Sequence, residues 1–198
     1  MSEADEKETL RHYLQDGRAA LLWKLAGLSD YDIRRPMTPT GTNLLGLVKH
    51  CAAVECTYFG RVVGRPFPGE GDLDWHEGDD TVLNGDMYAA ESESREQVTG
   101  FYRRVWAHSD ETIGALSLDA RGTVDWWPEA RRNPTLRTLL VHTIQETARH
   151  AGHADIIRES IDGAAGLREG SGNLPAEVGA AAWKQHHDTL ESIARSAH

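Results

Sequence analysis

In four separate windows of this 198-residue chain, apolar residues recur at alternating steps of three and four. That period belongs to amphipathic helices and excludes a sheet as the main architecture. The first window runs from Thr9 to Leu28, with Leu10, Tyr13, Leu14, Leu21, Leu25 and Leu28 on one side. Asn43 to Val63 forms the second, striped by Leu44, Leu47, Val48, Cys51, Val54, Tyr58 and Val62. A Ser94…Gln97 capping box opens the third, about Arg95 to Leu116, where Val98, Phe101, Val105, Thr112 and Leu116 face inward. The fourth runs from about Pro134 to Ile161, with Asn133 as the expected N-cap and Gly163 as the stop. Four long helices, each with one apolar stripe, predict an all-α four-helix bundle.

The segments between the stripes are long. Arg65 to Ser94 is rich in Gly, Pro and acidic residues, and a connection of about 30 residues is expected to wrap the bundle or cover a site. A second crossing, Leu118 to Asn133, carries Trp126, Trp127 and Pro128. Residues 163–176 read as a Gly-rich link to a short C-terminal helix from about Glu177 to Ala194. The expected organisation is therefore one bundle domain over 1–163. Residues 164–198 are expected to form a linker and a tail helix packing on the same domain.

Composition narrows the function classes. The formal charge of −10 argues against a nucleic-acid surface or a binder of anionic membranes. No apolar run approaches the ~18 residues of a membrane span, and the N-terminus is acidic where a secretory signal would be basic. A cytoplasmic protein is expected. Cys51 and Cys56, five residues apart on one helix, point about 140° away from each other and are expected to stay reduced.

Chemistry concentrates on the fourth helix. His142, Glu146, His150 and His153 follow at steps of four, four and three, and all fall within about 80° of one another. Glu146 and His150 lie on the apolar stripe, one turn apart, and a carboxylate and an imidazole in a core are costly unless paired or metal-bound. His50 flanks the stripe of the second helix, so His50, Glu146 and His150 can converge on one ion. Two His and one carboxylate form the ligand set of catalytic zinc sites and of the Fe(II) facial triad. Glu55 lies near the centre of its stripe and needs a partner: a ligand imidazole, which it would orient, or Arg137, or a salt bridge at the end of the core. His108 reads as a core or rim residue; His76, His186, His187 and the acidic 69–80 stretch with Asp79 and Asp80 read as solvated. There is no GxGxxG, P-loop, GxSxG, CxxC or HExxH.

GTNLLGLVKHCAAVE and DWWPEARRNPTLRTLLVHTIQETARHAGHADIIRESIDG resemble the DinB-like (YfiT-like) metalloenzyme superfamily, most closely its mini-circle protein branch. The resemblance covers roughly residues 9–163. It implies a four-helix bundle, often dimeric, holding a divalent metal by His50, Glu146 and His150. A Glu at the second ligand position, where many members have His, is similar to the N-terminal bundle of mycothiol-dependent maleylpyruvate isomerases. The second, C-terminal domain of those isomerases is not expected here, so their substrate is not expected to carry over.

From this follows a functional expectation. A divalent metal (zinc first; nickel, iron or manganese as alternatives) activates a low-molecular-weight thiol of the mycothiol type for transfer to, or isomerisation of, a small electrophile. Arg137, Trp126 and Trp127, with Glu55, are the expected residues around the thiol, and His153 or His142 the expected proton carriers. A homodimer is expected. Two other classes remain: a hydrolase using metal-bound water, and a non-enzymatic dimeric stress protein.

Overall fold

The computed structural model of the chain describes residues 2–75, 82–168, 170–172, 174–175 and 177–197. Among them there are helices and two isolated bridges but no strand, so the protein is all-α. The expected solvated positions His76, Asp79 and Asp80 lie outside the described residues.

The first helix, α1 (Glu3–Trp23), begins six residues before its apolar stripe. Polar capping sets that start: the Ser2 hydroxyl accepts from Asp5 N, the Asp5 carboxylate accepts from Ser2 N, and Glu3, Asp5 and Glu6 suit the positive helix end. A short α2 (Asp30–Arg34) is capped by Ser29. Helix α3 (Leu44–Tyr58) is capped by Asn43 and ends short of the expected Val63, where the chain turns at Gly60 into a 3-10 turn, Arg61–Val63. The capping box at Ser94 and Gln97 opens α4 (Arg95–Ala115) as expected.

The last bundle helix, α5 (Leu136–Asp162), is capped by Thr135, not Asn133. Asn133 is instead held outside the helix, where its side chain accepts from Thr123 and its carbonyl from Arg121. Gly163, with φ +77°, stops α5 in the left-handed conformation. The tail forms α6 (Ala180–Ser196), and every described residue of it is exposed, Trp183, Leu190 and Ile193 included.

Cross-contacts fix the directions. Glu6 meets Arg137 and the end of α1 meets Arg158, so α1 and α5 run parallel. Lys49 meets Glu93 and Glu55 meets Tyr102, so α3 and α4 run parallel to each other and opposite to α5. Parallel neighbours need a connection that returns the length of the bundle, and this explains the length of the segment between α3 and α4. That segment is anchored from below. Lys49, fully buried, donates to the Asp74 carbonyl and to the Glu93 carboxylate, while Glu93 accepts from the amides of Asp74 and Ala90. Phe67 and Trp75 pack their rings on Phe101.

The core divides into two apolar clusters. One holds Leu21, Leu44, Leu47, Val48, Phe101 and Ala154; the other holds Leu14, Phe59, Ile113, Leu136 and Leu140. Between them, on all four long helices, buried polar residues intervene: Arg18, Glu55, Ser109 and Thr147. At the far end of α1, the buried Lys24 ammonium pairs with Asp155 at 2.5 Å and donates to the Gly166 carbonyl. Gly166, with φ +114°, lies so close to Gly172 that a Cβ on it would fall 2.3 Å from the Gly172 Cα. The chain leaving α5 is thus folded back onto the end of α1.

Candidate metal centre

His50 comes from the middle of α3, Glu146 and His150 from successive turns of the antiparallel α5, and their side chains meet where the two helices cross. One ligand-type atom from each lies within 4.8 Å of the others. The His50 and His150 ring centroids are 4.6 Å apart. Glu146 Oε1 is 3.1 Å from His150 Nε2 and 3.6 Å from His50 Nε2. Ligands at about 2.1 Å from a tetrahedral ion lie about 3.4 Å from one another, so the two Glu146 separations bracket what a small divalent cation needs. His150 is the deepest of the three, at 8% exposure, as its place on the apolar stripe predicts.

The hydrogen bonds also suit an ion. A carboxylate only accepts, so His50 Nδ1 carries the proton donated to Asp86 at 2.6 Å. In the neutral ring His50 Nε2 is then bare; it is buried, has no hydrogen-bond partner among the described residues, and faces the Glu146 carboxylate across the 3.6 Å gap. Two lone pairs facing each other is an arrangement that a cation completes. His150 Nε2 donates to Glu146, a proton that a metal would displace, and its Nδ1 is buried with no partner.

Burial opposes charge on His50, but the Asp86 and Glu146 carboxylates outweigh it and raise its pKa above the usual imidazole value. At His150 burial and the neighbouring His50 act together and lower it. Burial pulls Glu146 upward, yet its contacts with His150 and His50 prevail and hold it below the usual carboxylate value. The neutral form is thus favoured at His150 and the ionised form at Glu146, as a divalent cation requires of them, while at His50 a cation would compete with the ring's second proton.

Above the trio opens a cleft of about 1010 Å³, walled by the turn from Pro36 to Asn43 on one side and by Leu83 to Tyr88 on the other. The segment between α3 and α4 therefore does reach the site, as its length suggested.

Other expected site residues lie elsewhere. Glu55 is fully buried as predicted, but its partner is neither Arg137 nor a ligand imidazole. It accepts three hydrogen bonds from the Arg18 guanidinium, the shortest 2.5 Å, and one from the Tyr102 hydroxyl. Arg137 is bound to Glu6 and Asp119 at the opposite end of the bundle. His142 is enclosed by aromatic rings, 5.0 Å from Tyr58 and 5.1 Å from Trp127, and Trp126 packs on the same Tyr58. This aromatic group lies one turn of α5 before Glu146 and outside the cleft lining. His153 is exposed, with its ring 5.4 Å from that of His150. His108 bonds the Arg65 carbonyl, in keeping with a rim residue, while His186 and His187 are exposed on α6. Cys51 and Cys56 are free and buried.

Sequence reasoning missed two residues. Arg18 interrupts the apolar stripe of α1 between Leu14 and Leu21, and that interruption is the signal that could have found it. Asp86, 36 residues from His50, left no periodic trace.

Comparison with known families matches residues 9–163 to a family model described as Mycothiol-S-transferase, over the same span as the DinB-like resemblance. No curated protein matches the chain.

Proposed function

The chain belongs to the mycothiol-S-transferase family, and on that footing we propose that it joins a low-molecular-weight thiol, mycothiol or a close relative, to a small electrophile. The observation that carries this reading is the convergence of His50, Glu146 and His150 on the floor of an open cleft. Zinc is the first choice for two imidazoles and a carboxylate, ahead of nickel, iron and manganese. A divalent cation held there supplies the charge that lowers a thiol's pKa from about 8.5 to below 7.

The chain's own residues supply the rest. The ionised Glu146 offsets part of the cation's charge, and the turns at Pro36–Asn43 and Leu83–Tyr88 confine the two reactants. In the transfer, a sulfur–carbon bond forms, the thiol proton passes to a base, and the leaving group departs with its bonding pair. His153, exposed beside His150, is better placed to take that proton than the ring-enclosed His142. Cys51 does not serve as the nucleophile: burial, with the charges of Glu55 and Glu146, pushes its thiol well above the ordinary range. Trp127 and Arg137 border a separate groove of about 620 Å³ beyond Gln145, with exposed Trp126 near it, and in this reading meet only the far end of a bulky thiol.

The working form is a cytoplasmic homodimer in this proposal. Val141 and Ile156, exposed on the outer side of α5 with Ala148 and Gly152 between them, offer a face to a second copy. No helix among the described residues is long and apolar enough to cross a membrane. Sedimentation equilibrium showing a monomer at micromolar concentration removes the dimer.

The decisive experiment is metal analysis of protein purified without a His tag, followed by turnover of a fluorogenic electrophile with and without added thiol. Product that requires both metal and thiol is expected. Metal-dependent ester or amide cleavage without thiol would replace the transferase by a hydrolase.

A further inference from the structure

Among the described residues, Asp86 is a carboxylate bonded to the trio without being one of its ligands, and the chain goes to some length to deliver it. It stands in a 3-10 turn, Gly85–Met87, on the long segment between α3 and α4. That turn is seated against the first turn of α3: a Cβ at Gly46 would lie 1.8 Å from the Met87 carbonyl oxygen. The Asn43 side chain, besides capping α3, reaches the same carbonyl at 3.5 Å. One turn along, Lys49 grips Glu93 and the Asp74 carbonyl, holding both flanks of the segment. The register of Asp86 against His50 is therefore fixed by backbone contact and by a buried ion pair.

An imidazole ligates through one nitrogen, and what the other nitrogen binds decides the tautomer and the ring's rotation. Here the Nδ1–H of His50 is held at 2.6 Å by an ionised acceptor, and Nε2 is left bare toward Glu146. His150 has no such support, since its Nδ1 is buried without a partner. Glu55, the residue first expected to orient a ligand, is fully engaged by Arg18 and Tyr102. From this geometry we infer that Asp86 is the positioning residue of the centre, holding His50 in the Nδ1-protonated form with Nε2 presented to the ion. The inference rests on the metal reading of the trio.

The test uses the full-length chain with Asp86→Ala and Asp86→Asn. The asparagine keeps an acceptor for Nδ1–H and loses only the charge, so it remains informative if the alanine variant folds poorly. In the metal-free protein, long-range proton–nitrogen NMR of the His50 ring is expected to show the Nδ1–H tautomer in wild type and a shift toward Nε2–H in Asp86→Ala. Titration with zinc is expected to give a 10–100-fold weaker affinity in Asp86→Ala and a smaller loss in Asp86→Asn. An unchanged His50 tautomer with zinc affinity within twofold of wild type in both variants overturns the role of Asp86 alone. Failure of the wild type itself to bind zinc overturns the metal reading beneath it.

Discussion

Helix α3 carries two buried polar centres less than two turns apart, and they are finished differently. At Glu55 the carboxylate and its cation are paired within the chain: Arg18 and Tyr102 donate to the Glu55 oxygens, and Asp110 accepts from Arg18 Nη1 at 3.0 Å. At His50 the chain stops short, leaving a bare Nε2 opposite a carboxylate and, on His150, a second buried nitrogen with no partner. Buried polar groups in native proteins are nearly always satisfied. A centre that closes on itself fixes the packing of the helices, and one left incomplete, at the floor of a cleft, is shaped for something that arrives.

The sharpest way to break this comparison is to open the closed centre. Arg18→Ala leaves the Glu55 carboxylate buried without its cation, and urea denaturation is expected to show a loss of about 3–5 kcal/mol. A loss below about 1 kcal/mol would mean that the network does not hold the bundle together.

Opening the incomplete centre should do the reverse. His150→Ala is expected to weaken zinc binding by more than about 100-fold, equivalent to roughly 2.7 kcal/mol, in a bundle that stays folded. Stability is expected to change by only about 1–3 kcal/mol in either direction, since truncation removes a desolvation cost together with contacts. His186→Ala, on the exposed α6, serves as the control, and equal metal content in all three proteins would dissolve the distinction between the two centres.

Gly46→Ala acts between them. Its methyl must displace the Met87 carbonyl, an overpacking expected to cost about 1–3 kcal/mol and to shift the turn that carries Asp86. Thermal unfolding measures the first effect and zinc titration the second; stability and affinity equal to wild type would show that the turn moves freely.

The smallest effect belongs to the tail. Ending the chain after Ser171 removes α6, whose described residues are all exposed, and is expected to change the bundle's stability by less than about 0.5 kcal/mol. A larger loss in calorimetry would assign α6 a seat on the bundle.

The differing legibility of these parts has physical causes. Glu146 and His150 could be read because helical geometry turns a spacing of four into a shared face, and His50 because its azimuth flanked a stripe. Azimuth gives a direction but no partner: it buried Glu55 correctly and could not choose Arg18 over Arg137. The start of α1 was hidden because hydrophobic periodicity marks the buried stripe, whereas the cap at Ser2 is a polar, local device. Asn133 and Thr135 are both good caps in isolation, and only the contacts from Arg121 and Thr123 decide between them. Asp86 was out of reach because its pairing depends on how a long crossing segment returns along two parallel helices.

The fold-back at Lys24 has a consequence for the tail. With Gly166 held to the end of α1 and Gly172 pressed against it, only residues 172–179 separate that anchor from the first turn of α6. Fully stretched, such a span reaches roughly 26–29 Å. A surface beyond that radius is out of the helix's reach, and one inside it would meet the helix at the effective concentration of an intramolecular partner, on the order of millimolar. A weak apolar match for Trp183, Leu190 and Ile193, far too feeble to form between free molecules, would be populated there.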